Sequence, residues 1–440
     1  MYGALLGMVF VLPYSFALIE TCQIIMMLAW GLKRFFLCKS SVRQPLVQGV
    51  DLFSRNMGWS LLAIAVLIVL TIPMSHYPSL SAKKFFSRFL QQIFLTYLVT
   101  EIIYNRKRLY SVLLVMLLTL FFVTIDVMVQ YTWGTSIVHH TSLIFGRVSG
   151  PMNHPNDLGT LLVTILPVTM ILSLTVRSWM PLLLGKIIWQ VLVWAAGFGI
   201  AALFILLLIT LGLTDSRGAW IAFVVGIIAV GSCFKSYKLM AVIFLMFVIF
   251  FWVFSMHCLS TRIDLYAVPM VHCPVLIPSF TNPFGLPHQY SLSKFFFDSS
   301  DRYFYWGTAL GVIKHSPWFG CGYNAYVQTL RDMHVGHEEY PHNSFLQITA
   351  ELGVVGLFLY GWFFTALGLQ INRLLRIIKH DRDLFLLGCG IASGILAWMV
   401  HSLMDTPWES YQLSVLWWMF IGVLFSLVNC LHNKGEKSWA

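Results

Sequence analysis

Three arginines and one histidine stand where long apolar runs begin or end. They are Arg147 in RVSGPMNHPNDLG, Arg217 in TDSRGAW, Arg302 in DRYFYWG and His342 in YPHNS. The arginine fork suits phosphate oxygens bidentately. Histidine titrates near neutral pH and can accept a proton from a sugar hydroxyl. Together these types suit transfer from a lipid pyrophosphate, with cations for the leaving phosphates and a base for the attacking hydroxyl. The chain shows no HExxH, no DxD and no acidic pair at ligand spacing. No metal or other cofactor is expected, and phosphate neutralisation falls to arginine.

Each residue also has a plainer reading. The Arg147 segment can be a turn in which Asn156 or Asp157 caps the following helix. Alternatively, Arg147 contacts an anion near that helix N-terminus. Arg217 can snorkel to headgroups, although it stands at a helix start, where a cation is disfavoured and needs a partner. Arg302 can anchor an amphipathic helix over 302–314 at a membrane interface. His342 alone can simply cap a helix. His154, His334 and His337 receive no role.

The elements that must position these groups are membrane helices. Of 440 residues, 58% are hydrophobic and only 10% charged, too few polar groups to cover a soluble globule. That excludes a soluble enzyme, a disordered chain and a disulfide scaffold. The eight cysteines show no CxxC. Apolar runs predict spans near 3–31, 57–75, 86–104, 109–131, 157–176, 187–212, 218–234, 239–257, 344–371, 384–403 and 412–431. These make eleven spans, or twelve if Pro13 and Glu20 split the first. The expected fold is an all-α polytopic membrane protein. Its units are N-terminal helices over 1–145, central helices over 146–257, a large loop over 258–343 and C-terminal helices over 344–440.

A net charge of +10 reads as positive-inside topology and not as a nucleic-acid surface. Most of the 28 Lys and Arg fall in one set of loops, which is taken as cytoplasmic. The Arg147, Arg217, Arg302 and His342 segments then face outward. Lys83, Lys84 and Arg88 also fall on the outer side, against the pattern. Glu20 and Glu101 lie inside spans with no evident partner. A transporter should show paired broken helices and intramembrane charges, and no internal repeat supports one.

GPMNHPNDLGTLL, TDSRGAWIAFVVG, RYFYWGTALGVIKHSPWFGCGYNAY and YPHNSFLQITAELGVVGLFLYG, in this order, resemble the O-antigen ligase and polymerase family of bacterial inner membranes. The resemblance spans about half the chain. It implies a periplasmic active site and a glycan donor linked to undecaprenyl pyrophosphate. The implied acceptor is lipid A–core for a ligase, a second lipid-linked repeat for a polymerase, or a protein in a third branch. It implies His342 as the catalytic residue and Arg217 and Arg302 as pyrophosphate ligands, with Arg147 matching less closely. Membrane lipid is the expected surrounding. About 35 residues from His257 match no family feature; they contain Cys258 and Cys273, which could form a disulfide or remain two thiols.

Overall fold

The computed structural model describes residues 1–39, 55–144, 146–184, 189–234, 300–335 and 338–432. Among these no strand forms; only two isolated bridges occur, in the loop before Gly150. The chain is an all-α polytopic membrane protein, with eight helices among the described residues long and apolar enough to cross a membrane. The expected span at 239–257 and both Cys258 and Cys273 lie outside the described residues.

The first apolar run resolves into α1 (Tyr2–Val11) and α2 (Phe16–Lys39), split around Pro13, whose missing N–H cannot continue a helix. Next come α3 (Arg55–Thr71), α4 (Pro78–Lys84), a π-helical turn (Phe85–Leu90) and α5 (Gln91–Ile102). Then follow α6 (Arg106–Trp133), α7 (Pro155–Leu184), α8 (Trp189–Leu213) and α9 (Arg217–Phe234). The remaining helices are α10 (Ser300–His315), α11 (Tyr326–Asp332), α12 (Ser344–Ile378), α13 (Arg382–His401) and α14 (Tyr411–His432).

The core is built where α13 packs on α7 and α9, and α14 on α5. Gly390 and Gly394 bring α13 against the α7 backbone at Pro167 and Thr164; small residues permit such approach where lipid offers helices no hydrophobic drive. The end opposite the site is tied by charge. Arg106 pairs with Asp381, and Arg177 lies 4.0 Å over the Trp194 ring. Glu101 does have partners there, contrary to the expectation: Lys33 Nζ at 2.9 Å, Arg34 at 3.0 Å and the Trp30 indole N–H at 2.9 Å. They come from α2, 67–71 residues before Glu101 in the sequence.

Straight, the 35 residues of α12 would run about 50 Å, well beyond the roughly 30 Å hydrocarbon layer. The helix instead breaks at Gly353, where φ is +68°. The loop after α10 fills the gap. Cys321 and Gly322 donate their N–H groups to the carbonyls of Ala350 and Glu351, and Val354 and Val355 donate to those of Pro317 and Trp318. The backbone groups freed by the break are thereby satisfied, as burial demands. Gly320 and Gly353 make the crossing possible: both have positive φ, and a Cβ on either would collide with the opposite backbone. A broken helix is one feature expected of a transporter, but here the gap is plugged by the chain's own backbone. The crossing also locks α10, which carries Arg302, to α12, which His342 directly precedes.

Candidate functional site

The four expected residues come from distant parts of the chain and gather at one end of the bundle. Two polar side chains of α6 shape the Arg147 segment. Gln130 Oε1 accepts the N–H groups of Ser149 (2.9 Å) and Gly150 (2.7 Å), and Asp126 accepts that of Ile137. Arg147 then donates through Nε to the Thr214 carbonyl (2.8 Å) and through Nη2 to Asn156 Oδ1 (2.7 Å). It ties the start of α7 to the α8–α9 connector, which favours the turn reading over the anion reading. The cap of α7 differs from expectation. His154 Nδ1 accepts the Asn156 N–H at 3.2 Å, so a histidine given no role does the capping. Asn156, one of the two residues expected to cap, receives Arg147 instead.

Arg217 begins α9 and is exposed. Gly218 beside it lies against Met404 and His401, pressing the arginine's helix onto the α13–α14 connector. Buried His401 pins that junction, with Nδ1 2.6 Å from Thr160 Oγ1 and Nε2 3.4 Å from Ser216 Oγ. Arg302 lies one turn from Tyr305 on α10, and the Tyr305 ring meets the His342 ring edge-on at 5.5 Å. Burial eases the Arg302 guanidinium below its ordinary pKa; Asp405 opposes this and Arg217 adds to it. The two arginines therefore stand within reach of each other's charge, with Asp405 also acting on Arg302.

The segment Pro341–Ser344 is fastened to the same connector. Asn343 Oδ1 caps α12 by accepting the N–H groups of Phe345 and Leu346, while its Nδ2 donates to the Leu403 carbonyl. Ser344 donates its N–H to Ser402 O (2.9 Å) and its hydroxyl to Asp405 O (3.1 Å). Held on both sides, His342 adopts φ +46°, a left-handed conformation uncommon for non-glycine residues and over-represented at functional sites.

His342 Nδ1 lies 2.9 Å from Asp405 Oδ1. Burial alone would push the Asp405 carboxyl up. The hydrogen bond from His342, the charges of His342 and His401 and the Thr406 N–H outweigh it and hold the group well below the usual carboxylate range. The carboxylate is therefore ionised, and Nδ1 carries the donated proton. In the neutral imidazole the lone pair then lies on Nε2, the tautomer that can take a proton from a hydroxyl. The side chain of His342 is 24% exposed and that of Asp405 10%, so the histidine is reachable and the carboxylate is shielded.

Sequence reasoning missed Asp405. A cleft of about 470 Å³ opens beside the pair, lined also by His154, Asp157, Tyr305, Glu339, Glu409 and Tyr411. Arg147, Arg217 and Arg302 do not line it. Among the described residues no group of three His, Cys, Asp or Glu is placed to hold a metal.

Residues 202–361 match the O-antigen ligase family model, Wzy_C. The match bears out the resemblance over that segment, which contains Arg217, Arg302 and His342 and leaves Arg147 and Asp405 outside. The match is to the O-antigen ligase family alone and covers that segment of the chain. No curated protein matches the chain.

Proposed function

We propose that the chain is an O-antigen ligase, transferring a glycan from undecaprenyl pyrophosphate to lipid A–core at the periplasmic face of a bacterial inner membrane. The observation that carries this reading is the His342–Asp405 pair, with Arg302 one turn from the Tyr305 whose ring meets that of His342. Arg217 and Arg302 bind the donor pyrophosphate and stabilise the charge that develops as it leaves. His342 Nε2 removes the proton from an acceptor hydroxyl, and Asp405 keeps Nδ1 protonated and stabilises the imidazolium.

The acceptor oxygen attacks the anomeric carbon as the bond to the pyrophosphate oxygen breaks, and the departing pyrophosphate keeps that electron pair. The proton ends on His342 and passes to solvent. One displacement without a covalent intermediate inverts the anomeric centre. The leaving group is already activated, so no nucleotide is consumed. This mechanism assigns phosphate neutralisation to arginine and is metal-independent. Arg147, bonded to Thr214 and Asn156, holds the loop that faces the donor.

The test is transfer by purified protein in detergent with EDTA, using an undecaprenyl-pyrophosphate glycan with and without lipid A–core. Glycosylated lipid A–core that vanishes with His342→Ala supports the ligase. Lengthened lipid-linked glycan without lipid A–core makes the protein a polymerase. Absence of product with every acceptor overturns the donor assignment.

A further inference from the structure

The cleft beside His342 carries four acidic side chains, Asp157, Glu339, Asp405 and Glu409, against the guanidinium of Arg88. Rings of Tyr305 and Tyr411 form part of its wall. Such a lining disfavours an anionic ligand and suits an uncharged sugar, whose hydroxyls donate to carboxyl oxygens. Three of the acids are accounted for. Asp405 accepts from His342 and from the Thr406 N–H. Glu409 accepts from Asn324 and Gln347. Glu339 is exposed. Asp157 differs from them: it is half-buried in the first turn of α7, and its carboxyl group receives no hydrogen bond among the described residues. An acid in that turn eases the helix dipole, but the cap itself is made by His154. Any ligand that displaces water from the cleft must supply Asp157 with a donor or leave it unpaired.

His154, three residues earlier, lines the same cleft and supplies the complement. Its Nδ1 accepts the Asn156 N–H at 3.2 Å, so in the neutral ring the proton lies on Nε2. Burial, with the charges of Arg147 and His342, holds the ring below the ordinary histidine range against the pull of Asp405 and Glu339. The ring is therefore neutral at pH 7. Nε2 makes no hydrogen bond among the described residues, and neither it nor the Asp157 oxygens are sealed in the interior. The turn that carries both groups is stiff. Pro155 fixes one φ between them, and Arg147 Nη2 holds Asn156 Oδ1 at 2.7 Å.

We infer that His154 and Asp157 select the acceptor: together they read a second hydroxyl of its terminal sugar, while His342 takes the proton of the hydroxyl that attacks. That second hydroxyl donates to the Asp157 carboxyl group and accepts from His154 Nε2–H, the two roles one hydroxyl can fill at once. The acceptor end is then an uncharged sugar with two free hydroxyls. Its assignment to lipid A–core rests on the ligase reading; the hydroxyl chemistry does not.

The test is a cycle of enzyme and substrate changes, run on the full chain in detergent. Lipid A–core and an undecaprenyl-pyrophosphate-linked glycan are offered as acceptors, with the terminal sugar intact or lacking one hydroxyl at a time. Transfer kcat/KM is measured for the wild type, Asp157→Ala and Asp157→Asn. In the wild type, one deoxy acceptor besides that missing the attacked hydroxyl should lose about tenfold to a hundredfold. Asp157→Ala should lose about as much with the intact acceptor and little further with that deoxy acceptor. Asp157→Asn keeps an acceptor oxygen and should lie between. Donor KM should stay level in both variants, which reports an intact fold. Deoxy penalties that are the same in Asp157→Ala as in the wild type overturn the subsite and leave the ligase standing. A loss that falls on donor KM also overturns it, because Asp157 then serves the donor. Extension of the lipid-linked glycan alone, with the Asp157-dependent penalty on its terminal sugar, keeps the subsite and sinks the ligase reading. Transfer to neither acceptor overturns both.

Discussion

His342 donates its Nδ1 proton to Asp405 Oδ1 at 2.9 Å, across 63 residues of sequence. The bond fixes which imidazole nitrogen is left to act. Asp405→Asn offers an amide in place of an acceptor carboxylate, so the ring can flip or change tautomer. Transfer should fall by about 10²–10⁴, the range expected for losing general base catalysis. His342→Ala should cost a similar factor, and the double variant little more, because the two act as a unit. A double variant that shows the product of two independent losses would separate their roles.

The same pair predicts a pH-dependent stability. The folded-state pKa of Asp405 is lowered, so its stabilisation is fully present above the unfolded value of about 4 and is lost as pH falls through the folded value. The difference in thermal stability between the wild type and Asp405→Asn should shrink as pH falls below about 4. Unfolding in detergent across that acid range measures it. A difference that does not shrink on acidification would contradict the sign.

Arg302→Lys and Arg217→Lys keep the charge and lose the fork. Donor kcat/KM should drop about ten- to hundredfold in each, because an ammonium cannot bind two phosphate oxygens in parallel. Full transfer from either variant at normal expression would remove that residue from the donor site.

Gly353→Ala tests the crossing of loop and helix. The added Cβ collides with the Trp318 backbone at a position whose φ is +68°. A non-glycine residue held there costs about 1–3 kcal/mol in backbone strain alone, and the collision adds to it. Gly361→Ala in the same helix meets open space and should be neutral. The two midpoints of thermal unfolding, measured side by side, distinguish a local clash from a general intolerance of α12 to alanine.

The membrane class, most of the spans and the four residues that gather at one end of the bundle were legible in the sequence, because polar residues at the edges of apolar runs announce themselves. Asp405 was not. It lies in a short connector with no motif, and only the backbone fastening of Asn343 and Ser344 to residues 402–405 brings it to His342. The partners of Glu101 were hidden for a similar reason, since pairing between α2 and α5 is tertiary. Glu351 and Asp126 were overlooked because each is a single acid inside a long apolar run. His154 looked idle, because capping by an imidazole has no sequence signature. Arg147 was read as an arginine at a helix start, and the carbonyl that occupies it comes from Thr214, 67 residues away.

The crossing at Gly353 bears on how the protein is made. The loop Pro317–Gly322 leaves the ribosome before α12, yet its hydrogen bonds need carbonyls and N–H groups on both halves of that helix. Asp405 follows later still. A nascent chain stopped before α13 would carry the arginines and the histidine without the carboxylate that sets the histidine's tautomer. The histidine and its carboxylate therefore meet only after α13 has been made and packed.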